Sequence, residues 1–336
     1  MKLSKIGEFG LIEKLAGRIA SNTNKHWTSV RQLKIGIGDD AAVWNPQKSF
    51  QIATVDSLVE GIHFSLKTTT WRELGWKSIA VNLSDIAAMG GIPLYALISI
   101  GLPSNIGVKD VEALYDGMID ITKKFQVSII GGDTVGSPVV FISVTVIGCA
   151  SDETGKVLTR SAAQPGDKIA VTNSLGASAA GLAMLTRNLK LPLRAARELR
   201  RAHLEPYPRI EEGQLLLSHG VKAAMDISDG LVGDLTHICE ASRVGACLNI
   251  DLVPVSPVAK KYFGEKATEY ALNSGEDYEL LFTAPARIIQ RVKKNLNCPV
   301  TVIGEVTTEN SGKVKLTNKS GNLIDLKRKG WDAFLK

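Results

Sequence analysis

The segment KSIAVNLSDIAAMGGIP, residues 77–93, decides the architecture of the N-terminal part of this chain. It reads as the second half of a helix that begins near Trp71. Thr70 and Glu73 form a T-x-x-E capping box before that helix, and the GGIP sequence ends it. The pattern therefore predicts a long helix that is followed at once by an apolar strand, LYALISIGL, at 94–102.

Polar residues recur along this helix at a spacing that places them on one face. They are Ser78, Asn82 and Asp85, and Met89 continues the same spacing. A carboxylate among alanines and leucines is costly to bury unless something pairs with it. Taken alone, Asp85 is better explained as a surface residue or an internal cap. Other acidic stretches beside glycine, however, punctuate the chain, and together they indicate a metal-bridged phosphate site.

The length and composition fit two globular domains. A chain of 336 residues can form two cores, and 44% hydrophobic with 22% charged residues is an ordinary globular balance. Turn-forming residues cluster in SDETGK from residue 151, so we place the boundary between an N-terminal domain, 1–150, and a C-terminal domain, 151–336. Strand and helix patterns mix in both, which predicts an α/β (α+β) fold with a mixed N-terminal sheet and a C-terminal α/β sandwich.

The strand pattern places most acidic residues where an element ends. A strand at 50–55 is predicted to end at Asp56, and a strand at 127–135 to break into a loop at Gly131-Gly132-Asp133. The segment VKAAMDISDGL, 221–231, reads as a strand that ends in two carboxylates and is followed by a helix. NSGEDYELLFTA, 273–284, places an acidic turn before a strand.

The cysteines, the hydropathy and the charge indicate the cellular compartment and the classes of partner. The four cysteines show no zinc spacing and read as buried thiols in a reducing compartment. No apolar run approaches 18 residues and no signal peptide is evident, so we expect a cytoplasmic protein without membrane contact. The net charge is +6, but the one basic concentration, 187–201, reads as a solvated helix face; we expect no nucleic-acid partner.

The acidic residues point to a hard cation. Most lie next to Gly, Ser or Thr, which allows close approach of the backbone, and no His or Cys accompanies them at ligand spacing. Oxygen ligands alone favour Mg²⁺ or Mn²⁺ over zinc or copper. The residues are Asp39, Asp40, Asp56, Asp85, Asp133, Asp226, Asp229, Glu276 and Asp277.

Magnesium sites rich in carboxylates usually serve phosphates, yet the familiar nucleotide motifs are missing. The sequence has no G-x-x-x-x-G-K-[ST] and no H-R-D or D-F-G. A nucleotide would have to be held chiefly through metal bridges. Arg160 is a candidate phosphate clamp, and a salt bridge at the domain junction explains it about as well.

Seven motifs, in this order, resemble the thiamine-monophosphate kinase family: GIGDDAAVW, VDSLVEGIHF, KSIAVNLSDIAAMGG, GGDTV, LTRSAAQPGD, DISDGL and GEDYELLF. The resemblance runs from residue 7 to residue 334. It implies transfer of the ATP γ-phosphate to thiamine phosphate, the last step of thiamine diphosphate biosynthesis, with several Mg²⁺ ions per site. It also implies a homodimer in which the N-terminal ATP- and Mg²⁺-binding domains form a barrel.

The same resemblance implies roles for individual residues. The Mg²⁺ ligands would be Asp40, Thr54, Val55 (through its carbonyl), Asp56, Asp85, Asp133, Asp226 and Asp229. ATP would contact Tyr115, Gly132, Asp133, Arg160 and Ser228. Thiamine phosphate would contact His63, Glu276 and Trp331. No general base is assigned, because an ionised phosphate acceptor does not require one.

Other functions stay open at this point. Selenophosphate synthetase would need a reactive cysteine near the N-terminus, and the first cysteine here is Cys149. The hydrogenase-maturation protein carries a C-terminal cysteine, whereas this chain ends DAFLK. Aminoimidazole-ribonucleotide synthetase remains as an alternative enzyme. A non-catalytic ATP–Mg²⁺ sensor is the alternative from a different class.

Overall fold

The computed structural model describes residues 3–22, 33–35, 37, 42–44, 49–151 and 154–324. The chain divides into unit 1, Met1–Ile86 and Ile92–Gly155, and unit 2, Ala87–Gly91 and Lys156–Lys336. The helices that begin in unit 1 are α1 (Leu3–Asn22), α2 (Trp71–Ala88, whose last two residues belong to unit 2) and α3 (Val108–Lys124). Its strands are β1 (Leu33–Ile35), β2 (Val43–Trp44), β3 (Gln51–Val59), β4 (Ile92–Leu102), β5 (Ser128–Gly136) and β6 (Phe141–Cys149).

Helix α2 begins where the sequence predicts it. The backbone N–H of Thr70 donates to Glu73 Oε2 at 2.9 Å, and the N–H of Glu73 donates to Thr70 Oγ1 at 3.3 Å, which completes the capping box. Most of the helix is buried, and it crosses α3 closely. A Cβ added at Gly75 would lie 1.8 Å from the carbonyl oxygen of Leu114. Only glycine permits this approach.

Strands β3, β6, β4 and β5, in that order, form a mixed sheet in unit 1. β4 and β5 are parallel and are joined by α3, while β6 is antiparallel to both of its neighbours. One face is buried, with Ile98, Ile100 and Val144 at most 1% exposed. We call the other side the open face; Val55, Ser57, Thr145, Ser143, Leu97 and Ser99 belong to it and are half-buried or exposed.

Two predicted strand ends are wrong. β3 pairs with β6 along its whole length, so Asp56 lies inside a strand and not at its end. β5 continues to Gly136, so Gly132 and Asp133 lie within a strand and not in a loop. The reason is that pairing with β4 overrides the local turn preference of the two glycines, and a register shift beside Leu97 absorbs the irregularity.

Unit 2 is built on a seven-stranded mixed sheet of order β13-β12-β9-β11-β7-β10-β8. The strands are β7 (Lys168–Thr172), β8 (Ala223–Asp226), β9 (Gly245–Asn249), β10 (Leu280–Ala284), β11 (Val300–Thr307), β12 (Val314–Thr317) and β13 (Leu323–Ile324). The helices are α4 (Ala177–Thr186), α5 (Leu193–Leu204), α6 (Ile210–Ser218), α7 (Leu231–Ser242), α8 (Pro257–Phe263), α9 (Lys266–Asn273) and α10 (Ala286–Asn295). As predicted, β8 ends at Asp226 and a helix follows.

The structure also bears on the basic segment, the cysteines and membrane-spanning helices. The basic concentration 187–201 is not one helix face, because Arg187 follows α4, Lys190 lies in the connection, and the arginines from 194 onward belong to α5. All four cysteines are free thiols, but only Cys149 and Cys239 are buried. Among the described residues, no helix combines the length and the apolar character needed to cross a membrane.

Arg209 and Glu279 form a buried ion pair in unit 2. Arg209 Nε and Nη2 donate to the two carboxylate oxygens of Glu279 at 2.9 and 2.6 Å, and Thr172 Oγ1 donates to the same carboxylate at 2.6 Å. Burial by itself would lower the pKa of Arg209, but the charge of Glu279 raises it above its ordinary value. Burial raises the pKa of Glu279, and the charge and the hydrogen bonds of Arg209 act in the opposite direction, so each group depends on the other.

Removing one partner should leave an uncompensated buried charge. We expect Arg209→Met to lower the free energy of unfolding by about 3–5 kcal/mol in urea denaturation. The surface pair of Arg72 and Asp120 provides the control, and Arg72→Met should cost no more than about 1 kcal/mol. Adding Glu279→Gln to Arg209→Met should recover part of the loss. Equal effects of the two arginine variants would contradict this account.

Candidate functional site

Strand β3 and helix α2 bring together one polar cluster in unit 1. Thr54 Oγ1 donates a hydrogen bond to Asp85 Oδ2, and the backbone N–H of Asp56 donates to Asn82 Oδ1 at 3.0 Å. The amide of Asn82 in turn donates to the carbonyl oxygen of Ser78 at 3.0 Å, so its orientation is fixed. The polar face predicted for α2 is thus in contact with the face of β3 that carries Thr54 and Asp56.

Val55 lies in β3, and His63 lies in the turn that follows this strand. The side chain of Val55 lies on the open face and is 59% exposed, so only its backbone could face the cluster. His63 Nδ1 accepts a hydrogen bond from the N–H of Val59 at 3.1 Å. In the neutral imidazole the proton then belongs to Nε2, which is a donor suited to a phosphate oxygen and not a base.

Asp133 is not brought to this cluster. It pairs with Ser99, which pairs with Ser143, so these residues share the open face, and Asp133 is exposed. Two strands separate β5 from β3, which corresponds to roughly 14 Å across the sheet. Gly132, beside it, is also exposed. Tyr115, on α3, is only 5% exposed, and burial raises the pKa of its phenol; its contact with ATP stays a prediction.

Among the described residues, no group of three or more His, Cys, Asp and Glu side chains stands ready to hold a metal ion. This does not conflict with Mg²⁺, which keeps several waters and is bound through one or two carboxylates together with substrate phosphates. The donors around Asp85 are all oxygens, from a carboxylate, a hydroxyl and an amide. The chemistry of this donor set fits Mg²⁺ and not zinc or copper.

The second acidic segment joins β8 to α7. Asp226 ends β8 and is 2% exposed, while Ser228 and Asp229 are half-buried. Asp234 Oδ2 accepts hydrogen bonds from the backbone N–H groups of Ser228, Asp229 and Gly230 at 3.1, 3.2 and 3.0 Å. Burial raises the pKa of Asp234 to about 8, and the nearby charges of Asp226 and Asp229 act in the same direction.

The segment 275–279 lies directly against this connection. The N–H of Glu276 donates to the carbonyl oxygen of Ser228 at 2.8 Å, and the N–H of Tyr278 donates to that of Ile227 at 2.9 Å. Glu276 and Tyr278 both have left-handed backbones, with φ of 66° and 51°. Such conformations are uncommon outside glycine and cluster at functional sites. The pairing between the two segments holds this strained conformation in place.

Side chains of this segment are tied to α4 and α5. Asp277 accepts hydrogen bonds from the N–H groups of Gly176 and Ser178 at 2.7 and 3.3 Å, yet burial raises its pKa to about 7. Glu276 Oε2 lies 3.3 Å from Nδ1 of the buried His203, and that nitrogen also lies 3.1 Å from Ser178 Oγ. The predicted substrate carboxylate Glu276 is therefore oriented by residues far from it in sequence.

Three further predicted residues are Arg160, Asp40 and Trp331. Arg160 is exposed and follows Thr159, which forms an isolated bridge with Ala223 at the start of β8. Asp40 and Trp331 fall outside the described residues. Sequence reasoning missed the roles of Asn82, His203 and Asp234. An acidic residue in the first turn of a helix was an available signal for Asp234; nothing in the sequence links His203 to Glu276.

Two domain-family models match the chain. Models described as AIR synthase related protein match the chain twice, the N-terminal domain over residues 38–150 and the C-terminal domain over 164–317. Together with the mixed sheets and acidic connections described above, these matches define an AIR synthase related protein. The predicted two-domain α/β class is confirmed.

Individual relatives narrow the class. Thiamine-monophosphate kinase of Escherichia coli (strain K12) is 37% identical over 98% of both chains. The crystal structure of thiamine-monophosphate kinase from Stenotrophomonas maltophilia K279a is 34% identical, with a TM-score of 0.81 over 92% of this chain and 96% of that one. A structure of AaThiL complexed with AMPPCP and TMP is 33% identical, with a TM-score of 0.75 over 99% of both chains. The chain belongs to the thiamine-monophosphate kinase family.

Proposed function

We propose that this chain transfers the γ-phosphoryl group of ATP to the phosphate of thiamine phosphate, giving thiamine diphosphate and ADP. The observation that carries the proposal is the cluster in which Thr54 and Asn82 hold Asp85 and Asp56 on adjoining elements. Support also comes from AaThiL, which binds AMPPCP and TMP and matches along the whole chain.

In unit 1 the proposed ligands of one Mg²⁺ are Asp56, Asp85, Thr54 and the carbonyl of Val55, with Asp40 as a further ligand. Asp133 lies on the open face, so it would hold a separate Mg²⁺ ion. Bound Mg²⁺ would offset the repulsion between two anionic groups, which is about 4 kcal/mol per pair of unit charges at 4 Å and an effective dielectric of 20. Asn82 contributes by fixing the backbone at Asp56. His63 donates from Nε2 to the acceptor phosphate.

In unit 2 we propose Asp226 and Asp229 as Mg²⁺ ligands. The proposed ATP contacts in unit 2 are Ser228 and Arg160. The proposed ATP contacts in unit 1 are Gly132, Asp133 and Tyr115. Glu276, held by His203, and Trp331 are the proposed contacts of thiamine phosphate, because a carboxylate and an aromatic ring both suit a cationic ring system.

Direct measurement of both products tests the activity. Purified protein is incubated with ATP, MgCl₂ and thiamine phosphate, and ADP and thiamine diphosphate are separated by ion exchange. We expect equal amounts of the two products and no ADP without the acceptor. Binding of ATP without turnover would favour the sensor instead. Small molecules that co-purify with the protein should also be identified. A bound ligand unrelated to thiamine phosphate would favour the alternative enzyme, aminoimidazole-ribonucleotide synthetase.

We also propose that the protein is a cytoplasmic homodimer that associates through the sheet of unit 1. The open face carries exposed apolar side chains, among them Val55 at 59% and Val135 at 41%. Closure of two such sheets into a barrel would remove their exposed edges. An interface of this kind should bury at least ~1,000 Å².

Light scattering tests the dimer. We expect twice the chain mass at micromolar concentration, and we expect Val55→Asp to shift the protein towards monomer, because a carboxylate on the open face would be buried without a partner. Leu323→Asp, at a position that is 72% exposed in unit 2, is the control and should leave the mass unchanged. A wild-type monomer, or a dimer that is indifferent to Val55→Asp, would contradict the proposed interface.

A further inference from the structure

The connection between β8 and α7 has an unusual distribution of hydrogen-bonding groups. Three consecutive N–H groups, of residues 228–230, converge on one oxygen of Asp234. Successive N–H groups at the start of a helix normally form a site for a phosphate or another anion. Here a carboxylate of the same helix occupies that position, so these donors are not available to a ligand.

The backbone acceptors of the segment are used as well. The carbonyl oxygens of Ile227 and Ser228 accept from the N–H groups of Tyr278 and Glu276 at 2.9 and 2.8 Å. A Cβ at position 275 would lie 1.8 Å from the Ser228 oxygen, so Gly275 is required for this contact. The side-chain oxygen atoms of this segment are the Ser228 hydroxyl and the carboxylates of Asp226 and Asp229, which are the proposed contacts of ATP and Mg²⁺.

We propose that Asp234 is a positioning residue of the phosphoryl-transfer site. By engaging the N–H groups of residues 228–230 it fixes the backbone that carries Ser228 and Asp229. Ser228 then contacts ATP through its hydroxyl and not through its N–H. This inference rests on the proposed function.

The burial of Asp234 supports a role inside the molecule. The residue is 0% exposed, so it does not itself touch a substrate. Its second oxygen, Oδ1, is buried and has no hydrogen-bond partner in the described part of the chain. A buried carboxylate with one unsatisfied oxygen is costly, and the three N–H bonds at Oδ2 are the compensation that the structure provides.

Three variants separate positioning from other roles. Asp234→Asn keeps an oxygen acceptor and Asp234→Ala removes it. Thr236→Val, on the same helix, deletes a hydrogen bond of 2.7 Å to the carbonyl oxygen of Val232 and is the control. The readouts are kcat and KM for Mg-ATP, and the affinity for Mn²⁺ measured by electron paramagnetic resonance with a non-hydrolysable ATP analogue present.

We expect Asp234→Ala to weaken Mn²⁺ binding by about 10- to 100-fold and to raise KM for Mg-ATP, with Asp234→Asn closer to wild type. Thr236→Val should match wild type. Unchanged Mn²⁺ affinity in Asp234→Ala would overturn the proposal. If Asp234→Asn were as impaired as Asp234→Ala, the loss of Mn²⁺ affinity would be due to the lost charge. That result would overturn the positioning role.

Hydrogen exchange on the ligand-free wild-type protein gives a test that no folding defect can obscure. The amides of residues 228–230 should exchange slowly, because all three are bonded to a buried carboxylate. Rapid exchange would overturn the proposal. Neither exchange nor Mn²⁺ binding depends on turnover, so a wild-type protein inactive on thiamine phosphate would refute the proposed function without deciding the role of Asp234.

Discussion

Asp85→Asn is expected to lower kcat by more than about 100-fold while the protein stays folded. Changes in groups that only support metal ligands cost 10- to 100-fold, and a ligand itself should cost more. The asparagine carbonyl can still accept the hydrogen bond from Thr54 Oγ1, so packing between α2 and β3 is preserved. What is lost is the negative charge that would hold Mg²⁺ beneath the phosphates.

The measurement combines steady-state kinetics with thermal denaturation of the same preparation. Asp120→Asn is the matched control, because Asp120 is a surface carboxylate of unit 1 paired with Arg72; its kcat should equal that of wild type. A purely structural Asp85 would behave in the opposite way. Its replacement would lower the melting temperature and leave the specific activity of the folded protein nearly unchanged.

The sequence was sufficient for helix α2 because its signals are local. The capping box, the apolar pattern and the Gly-Gly-x-Pro end each depend on residues that are close together in the sequence. The limits of β3 and β5 were not accessible in this way. Asp56 and Gly132 look like strand ends locally, yet pairing with β6 and β4 extends both strands past them. Such pairing depends on residues distant in the chain.

The acidic motifs predicted a set of site residues, and the structure brings together only part of that set. Thr54, Asp56 and Asp85 share one cluster, as the family resemblance implied. Asp133 lies on the opposite face of the same sheet, because the register pairs it with Ser99. One residue of register decides the face of a strand, and a sequence does not reveal that register.

The choice of acceptor should show the other large effect. We expect the protein to phosphorylate thiamine phosphate and to be at least about 1,000-fold less active on free thiamine, since general base catalysis supplies 10²- to 10⁴-fold. A phosphate monoester has a second pKa near 6 and is already ionised at neutral pH, whereas an alcohol must lose a proton during transfer.

The hydrogen bond of His63 and the burial of His203 give neither histidine the position of a general base. His63 Nδ1 accepts the N–H of Val59, which leaves Nε2 as a donor in the neutral ring. His203 is buried, and its Nδ1 is engaged by Glu276 and Ser178. Free thiamine also lacks the phosphate charge that would bind bridging Mg²⁺, so it should be at most a weak competitive inhibitor.

Parallel incubations with ATP, Mg²⁺ and either acceptor, followed by ion-exchange separation, measure the difference. The products from thiamine phosphate should be ADP and thiamine diphosphate, formed in one step without a phosphoenzyme. A pH profile adds a second criterion, because activity should rise as the acceptor phosphate ionises, through a pKa near 6. Comparable turnover of free thiamine, or release of AMP, would show that the site contains a base or a transfer step that these residues do not provide.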